Sequence, residues 1–223
     1  ALLLLPDATA VGDDAAPFAH AAWQTVAYPD AASAPVLALL VDGMTWYAGV
    51  ARKQNAAASA LLYKSTNGGT SWAATALAAV GGVRALAFDP SRHQTIYAGA
   101  GDYDTDAHSV AHAGGLWKSV DGGDSWSRIS TPNPLLDGEA PRTIVVDPAD
   151  GMRLWVFADK PGSTTETDGD IFESLDGGAT WTTITPALAS ILALTYSPAE
   201  GLLAAATSGS NVNVYVKTPG DGS

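Results

Sequence analysis

The sequence predicts an all-β chain, an array of four-stranded antiparallel units, and three observations carry that prediction. A motif occurs three times, as Ser65-Thr66-Asn67-Gly68-Gly69-Thr70-Ser71-Trp72, Ser119-Val120-Asp121-Gly122-Gly123-Asp124-Ser125-Trp126 and Ser174-Leu175-Asp176-Gly177-Gly178-Ala179-Thr180-Trp181. Its tryptophans lie 54 and 55 residues apart, a spacing that marks stacked copies of one supersecondary unit. Short aliphatic runs bounded by Gly, Pro, Asn and Asp fall at matching offsets around each copy, and helical periodicity is absent throughout.

The elements follow in a constant order. First strands are predicted at Val36–Val41, Val83–Phe88, Thr143–Val146 and Ile191–Tyr196, and their near-continuous apolar runs suit strands buried on both faces. The turns Asp42-Gly43, Asp89-Pro90-Ser91, Asp147 to Gly151 and Ser197 to Gly201 follow, where Pro presets φ and Gly permits positive φ. Second strands are expected at Thr45–Ala51, Thr95–Ala100, Arg153–Ala158 and Leu202–Thr207, and third strands at Leu61–Ser65, Leu116–Ser119, Ile171–Ser174 and Val212–Lys217. In three units the repeated motif then turns the chain, and its Trp opens a fourth strand: Trp72–Ala76, Trp126–Ile129 and Trp181–Ile184. The units span about 36–76, 83–130, 142–185 and 190–217.

The fourth unit ends without a motif or a fourth strand, and Trp23-Gln24-Thr25-Val26 resembles Trp181-Thr182-Thr183-Ile184. Residues 23–28 are therefore expected to complete the last unit and close a ring, which removes both exposed sheet edges, with 1–22 as an N-terminal extension. The alternative makes residues 1–35 part of a fifth unit with Leu2–Leu5 as its inner strand; the matched ends favour four.

Composition sets the limits of function. The 223 residues, 47% hydrophobic, suffice for a packed core in a single domain. A formal charge of −12 repels phosphate backbones and anionic lipid, so nucleic acid is not an expected partner. The absence of cysteine removes disulfides, thiolate catalysis and thiolate metal sites. Leu2–Leu5 is too short to cross a bilayer and reads as a strand rather than as the tail of a secretory signal ahead of Ala8-Thr9-Ala10, so direct membrane insertion is not expected.

Ser-x-Asp-x-Gly-x-Thr-Trp is the pattern of Asp-box (BNR) repeats, which all three copies resemble, with Asn67 in place of Asp and Ser71 and Ser125 in place of Thr. The resemblance covers about residues 23–217. It is shared with sialidases, xyloglucanase-type glycoside hydrolases, the sortilin luminal domain and photosystem II assembly factors, and it implies a β-propeller of four blades here. It also implies a structural role for Ser65, Asn67, Gly69 and Trp72, for Ser119, Asp121, Gly123 and Trp126, and for Ser174, Asp176, Gly178 and Trp181. In those families the box is a hairpin on the face opposite the usual binding site. The residues support this directly, because an Asp at that place can accept N–H bonds across its own turn while the Gly pair takes conformations closed to other residues.

Function is then expected on the opposite rim, on the loops 52–60, 101–114 and 159–170 and the segment 131–141. Candidate binding residues are Asp102, Tyr103, Asp104, Asp106, His108, His112, Asp159, Glu166 and Asp168, with Tyr28 as a further exposed aromatic. Asp102, Asp104 and Asp106 alternate as Ca²⁺ ligands can, but the Gly and Glu of an EF-hand are replaced by Ala107 and Ala113, so no cofactor is expected and Ca²⁺ is the weak candidate. Rim carboxylates, Asp137, Glu139 and Asp170 among them, are numerous enough for a glycosidase pair without any two being singled out. Arg84 and Arg142 occupy equivalent places in adjacent units, as a carboxylate-binding cluster requires, but the sialidase Arg-Ile-Pro signature is missing. The expectation is a non-catalytic binding or scaffold module for a protein, or for a glycan, outside the cytoplasm. The alternatives are a glycoside hydrolase-like enzyme, or part of a larger propeller that needs further blades or a partner copy.

Overall fold

The structure, a computed structural model, describes residues 2–3, 24–29, 34–51, 61–77, 81–104, 109–129, 139–160, 169–184, 191–207 and 214–218. All regular structure among them is strand. In chain order the strands are β1 (Leu2–Leu3), β2 (Gln24–Thr25), β3 (Val36–Asp42), β4 (Thr45–Val50), β5 (Leu62–Ser65) and β6 (Ala73–Ala74). Then come β7 (Val83–Asp89), β8 (Arg92–Asp104), β9 (Ser109–Ser119), β10 (Ser127–Arg128), β11 (Ala140–Val146) and β12 (Leu154–Asp159). The last are β13 (Gly169–Ser174), β14 (Thr182–Thr183), β15 (Ile191–Ser197), β16 (Leu202–Thr207) and β17 (Val214–Lys217). They form antiparallel meanders β3–β6, β7–β10, β11–β14 and the three-stranded β15–β17, with β1 and β2 as a separate pair.

Three apolar clusters hold neighbouring sheets face to face. Tyr47 and Leu62 of the first sheet meet Val83, Ile96 and Ala98 of the second. Tyr97 and Leu116 of the second meet Leu154, Val156 and Phe172 of the third, and Trp155, Phe157 and Ile171 of the third meet Ile191, Leu194 and Leu203 of the fourth. Alternation along β8 and β12 sends successive side chains to the two neighbouring sheets, which is why these second strands are buried throughout their shared length. Each fully buried large side chain here contributes roughly 1.5–3 kcal/mol.

The first strands depart from expectation: they are only partly buried, and the two-sided burial falls on the second strands. β3, β7, β11 and β15 are the innermost strands, packed against one another in sequence, so one side of each faces the open interior. Glycine sets two of the spacings. A Cβ on Gly49 would lie 2.5 Å from the Val83 carbonyl oxygen, and one on Gly99 would lie 2.7 Å from Pro141 Cβ. At the same register position the third sheet carries the bulky Phe157, paired with Thr143 as Gly99 is paired with Ala85.

The expected closure by residues 23–28 is corrected. β2 pairs with β1, Leu2 opposite Thr25, and not with β17. No contact like that of β3 with β7 joins β15 to β3 among the described residues. The expected loop 101–114 is corrected as well: β8 and β9 run into it as a hairpin, with Asp102 opposite His112 and Asp104 opposite Ser109. Gly114 permits this, since a Cβ there would sit 1.6 Å from the Ala100 carbonyl oxygen.

Candidate functional site

The three repeated turns are nearly superposable in their bonding. Ser119 Oγ accepts from Asp121 N at 3.3 Å and Gly123 N at 2.8 Å, and donates to Asp121 Oδ1 at 2.8 Å. Asp121 then accepts Ser125 N at 2.9 Å and Ser125 Oγ at 2.5 Å. Ser174, Asp176 and Thr180 repeat the pattern. Asn67 keeps it with opposite polarity at one bond, its Nδ2 donating to Ser71 Oγ at 2.8 Å. Both glycines of each turn have φ between 65° and 92°. Hydrogen bonds from Ser125 and Ser119 hold the Asp121 carboxyl down at about 2, and those from Thr180 lower Asp176 below the ordinary carboxylate range. These carboxylates are spent on their own turns.

Each turn is also a docking point for the preceding sheet. Tyr47 donates to the Gly122 carbonyl at 2.7 Å, and its cross-strand partner Lys64 pairs with Asp124 at 3.0 Å. One sheet on, Lys118 donates to the Gly177 carbonyl at 2.8 Å with Tyr97 beside it. Burial first, then a nearby aspartate, pushes each tyrosine up to about 12, so both remain donors across the physiological range. A cleft of about 530 Å³ beside the second turn, lined by Lys64, Ser71, Trp72 and Asp124, presents no facing pair of carboxylates. The described contacts at this end join each sheet to the next.

The opposite rim, where first strands begin and second strands end, gathers charge. In each of the four meanders the register shifts near the start of the first strand, at Leu37, Arg84, Arg142 and Leu192. Such bulges re-aim a side chain, and on the two central sheets that side chain is arginine. Arg142 Nη1 lies 3.5 Å from Oδ1 of Asp159, which is 1% exposed, with Glu139 also buried one residue before Ala140, the cross-strand partner of Asp159. Lys160 and Asp170 pair at 3.2 Å next to them. Arg84 Nη1 is buried without a hydrogen-bond partner among the described residues.

Of the predicted rim residues, Asp159 is thus central to a charged cluster. Asp102, Tyr103, Asp104 and His112 lie on the β8–β9 hairpin, and Asp106, His108, Glu166 and Asp168 lie outside the described residues. The bulges were invisible in sequence because a register shift belongs to a pair of strands; the shared offset of Arg84 and Arg142 was the available signal. The Tyr47–Lys64 and Tyr97–Lys118 pairs were missed, although each lysine directly precedes the motif serine.

No family model matches the chain. It is 31% identical over 150 residues to a xyloglucanase of a Paenibacillus species, covering 55% of this chain and 13% of that protein. Among solved structures it is similar to the GH74 enzyme of Niastella koreensis (TM-score 0.59, 23% identity, 80% of this chain and 27% of that one). It is also similar to the GH74 xyloglucanase of Xanthomonas campestris (TM-score 0.59, 16% identity, 82% and 29%) and to YCF48 bound to D1 peptide (TM-score 0.54, 18% identity, 85% and 51%). The chain spans well under two thirds of the length of each of these proteins. Sheet order and these likenesses agree on the fold: the chain is an all-β propeller array of four antiparallel blades.

Proposed function

We propose that the chain is a non-catalytic recognition module that binds a protein partner on the rim opposite the repeated turns, with Arg84 and Arg142 as anchors for a carboxylate. The observation that carries this reading is the pair of bulged arginines on adjacent blades, one with a buried guanidinium nitrogen that lacks a partner among the described residues. A buried N–H of that kind gains most from an incoming acceptor, and a charged acceptor most of all. On a chain of net charge −12 such a pair also gives the acidic rim a local positive feature. The likeness to YCF48, which was solved bound to D1 peptide, is in keeping with a propeller that reads a polypeptide. The turns, read as Asp-box repeats, serve the fold.

The test is calorimetric titration with a short glutamate-rich peptide bearing a free C-terminal carboxylate. Binding is expected, with a loss of about 10- to 100-fold on Arg84→Ala, the size of a charge-assisted hydrogen bond. Equal affinity of wild type and variant contradicts the proposal.

The likeness to a xyloglucanase favours a second reading, in which these blades are part of a carbohydrate-active propeller acting outside the cytoplasm. A glycosidase requires carboxyl groups on both sides of the scissile bond, whereas Glu139 directly precedes Ala140, the cross-strand partner of Asp159, so the two lie side by side at one end of a single sheet. Release of reducing sugar from xyloglucan by this chain would favour the enzyme over the recognition module.

A further inference from the structure

We propose that Met152 is an oxidation site for hydroperoxides, with Arg92 and Lys118 of the second sheet placed to hold the sulfoxide oxygen and so tie that sheet to the third. The chain has two methionines, Met44 and Met152, and each directly follows the glycine of the hairpin between first and second strands. The Met44 carbonyl accepts the N–H of Gly68 at 2.9 Å, and the Met152 carbonyl that of Gly177 at 2.7 Å. In the second sheet Gln94 holds the same place, its carbonyl accepting from Gly122 at 2.8 Å. Glutamine carries an oxygen on its δ atom, as methionine sulfoxide does, so the position already takes such a side chain one sheet away.

The surroundings of the two methionines differ. Arg92 Nη2 lies 3.7 Å from Met152 Sδ, so the thioether already accepts from a guanidinium of the preceding sheet. Lys118 Nζ and Met152 Sδ lie 3.1 Å and 3.3 Å from one point, the place of a Cβ on Gly177, which brings a second cation within reach of the sulfur. Asp89, whose side chain is buried, fixes Arg92 through Nε and Nη2 at 2.9 Å, and the Gly177 carbonyl fixes Lys118 at 2.8 Å. Each cation retains further N–H groups for an acceptor. At the matching point over Gly68, the nearest atom outside Met44 is a ring carbon of Trp46 at 3.7 Å. Met152 is 39% and Met44 56% exposed, so a peroxide reaches both.

In the reaction a lone pair of Sδ attacks the terminal oxygen of the hydroperoxide, and the S–O bond forms as the O–O bond breaks. The leaving oxygen takes the proton of the transferred hydroxyl and departs as water or alcohol; sulfur loses two electrons and the peroxide gains them. Thioether sulfur is a weak acceptor, and the new oxygen accepts charge-assisted bonds. Oxidation ordinarily disrupts the packing of methionine; here it strengthens a junction.

Met44→Leu and Met152→Leu each leave one methionine, which separates the two sites. After treatment with hydrogen peroxide, mass spectrometry should show one added oxygen on each variant. Urea unfolding should give an unfolding constant about tenfold lower for oxidised Met152 than for its reduced form, the size of a hydrogen bond to a charged group. Oxidised Met44 should show no such gain. Lys118→Gln in the Met44→Leu chain should remove most of the gain, read as oxidised against reduced protein of the same variant. Without peroxide, Met152→Gln should be more stable than Met152→Leu. Resistance of Met152 to peroxide, a raised or unchanged unfolding constant on its oxidation, an equal gain at Met44, an undiminished gain in the Lys118→Gln chain, or a Met152→Gln chain no more stable than Met152→Leu overturns the proposal.

Discussion

Asn67 stands where Asp121 and Asp176 stand, and the difference predicts an acid response that belongs to two turns out of three. The folded turn donates hydrogen bonds to the ionised form of Asp121 and so holds its carboxyl down at about 2, below an ordinary 3.8. A depressed carboxyl contributes stability above its unfolded value and loses it as pH falls through the folded one, so this contribution disappears between about pH 4 and pH 2. Thermal melts across that range should show stability falling, and Asp121→Asn with Asp176→Asn should flatten the fall, since Asn67 supports the same turn by donating to Ser71. An unchanged acid slope would contradict the assignment. These turn bonds were legible in the sequence, because donors and acceptors lie within four residues of each other. The bond from Tyr47 to Gly122 was not, because its partners are 75 residues apart and meet only once two sheets have packed.

At the scale of elements, strand positions followed from aliphatic runs and turn residues, while the depth of each strand did not. Val36–Val41 and Thr45–Val50 are both apolar, and only the stacking order decides that β4 lies between neighbours while β3 faces the interior. Residues 101–114 read as a loop from their Gly, Asp and His content, but pairing with β9 extends β8 regardless of propensity. Two substitutions test the junctions. Tyr47→Phe removes the bond to the Gly122 carbonyl and should lower stability by about 0.5–1.5 kcal/mol in urea unfolding. Gly99→Ala places a Cβ 2.8 Å from the Pro141 carbonyl oxygen, and forcing the second and third sheets apart should cost about 1–3 kcal/mol. A neutral Gly99→Ala would mean that the glycine does not set the spacing.

For the whole molecule, the number of sheets was readable from the motif period, and closure was not, because it depends on small changes in sheet spacing such as Phe157 in place of a glycine. The central claim is a division of labour between the two ends of the blades: turns for folding, the arginine-bearing rim for binding. It is tested most directly by measuring melting temperature and peptide affinity together for two double variants, Asp121→Ala with Asp176→Ala and Arg84→Ala with Arg142→Ala. The account predicts that the aspartate pair lowers the melting temperature and leaves affinity intact well below it, while the arginine pair abolishes binding even well below its own melting temperature, which falls because the buried Asp159 carboxylate loses Arg142. Loss of binding from the aspartate pair at an unchanged melting temperature, with the arginine pair silent, would contradict it.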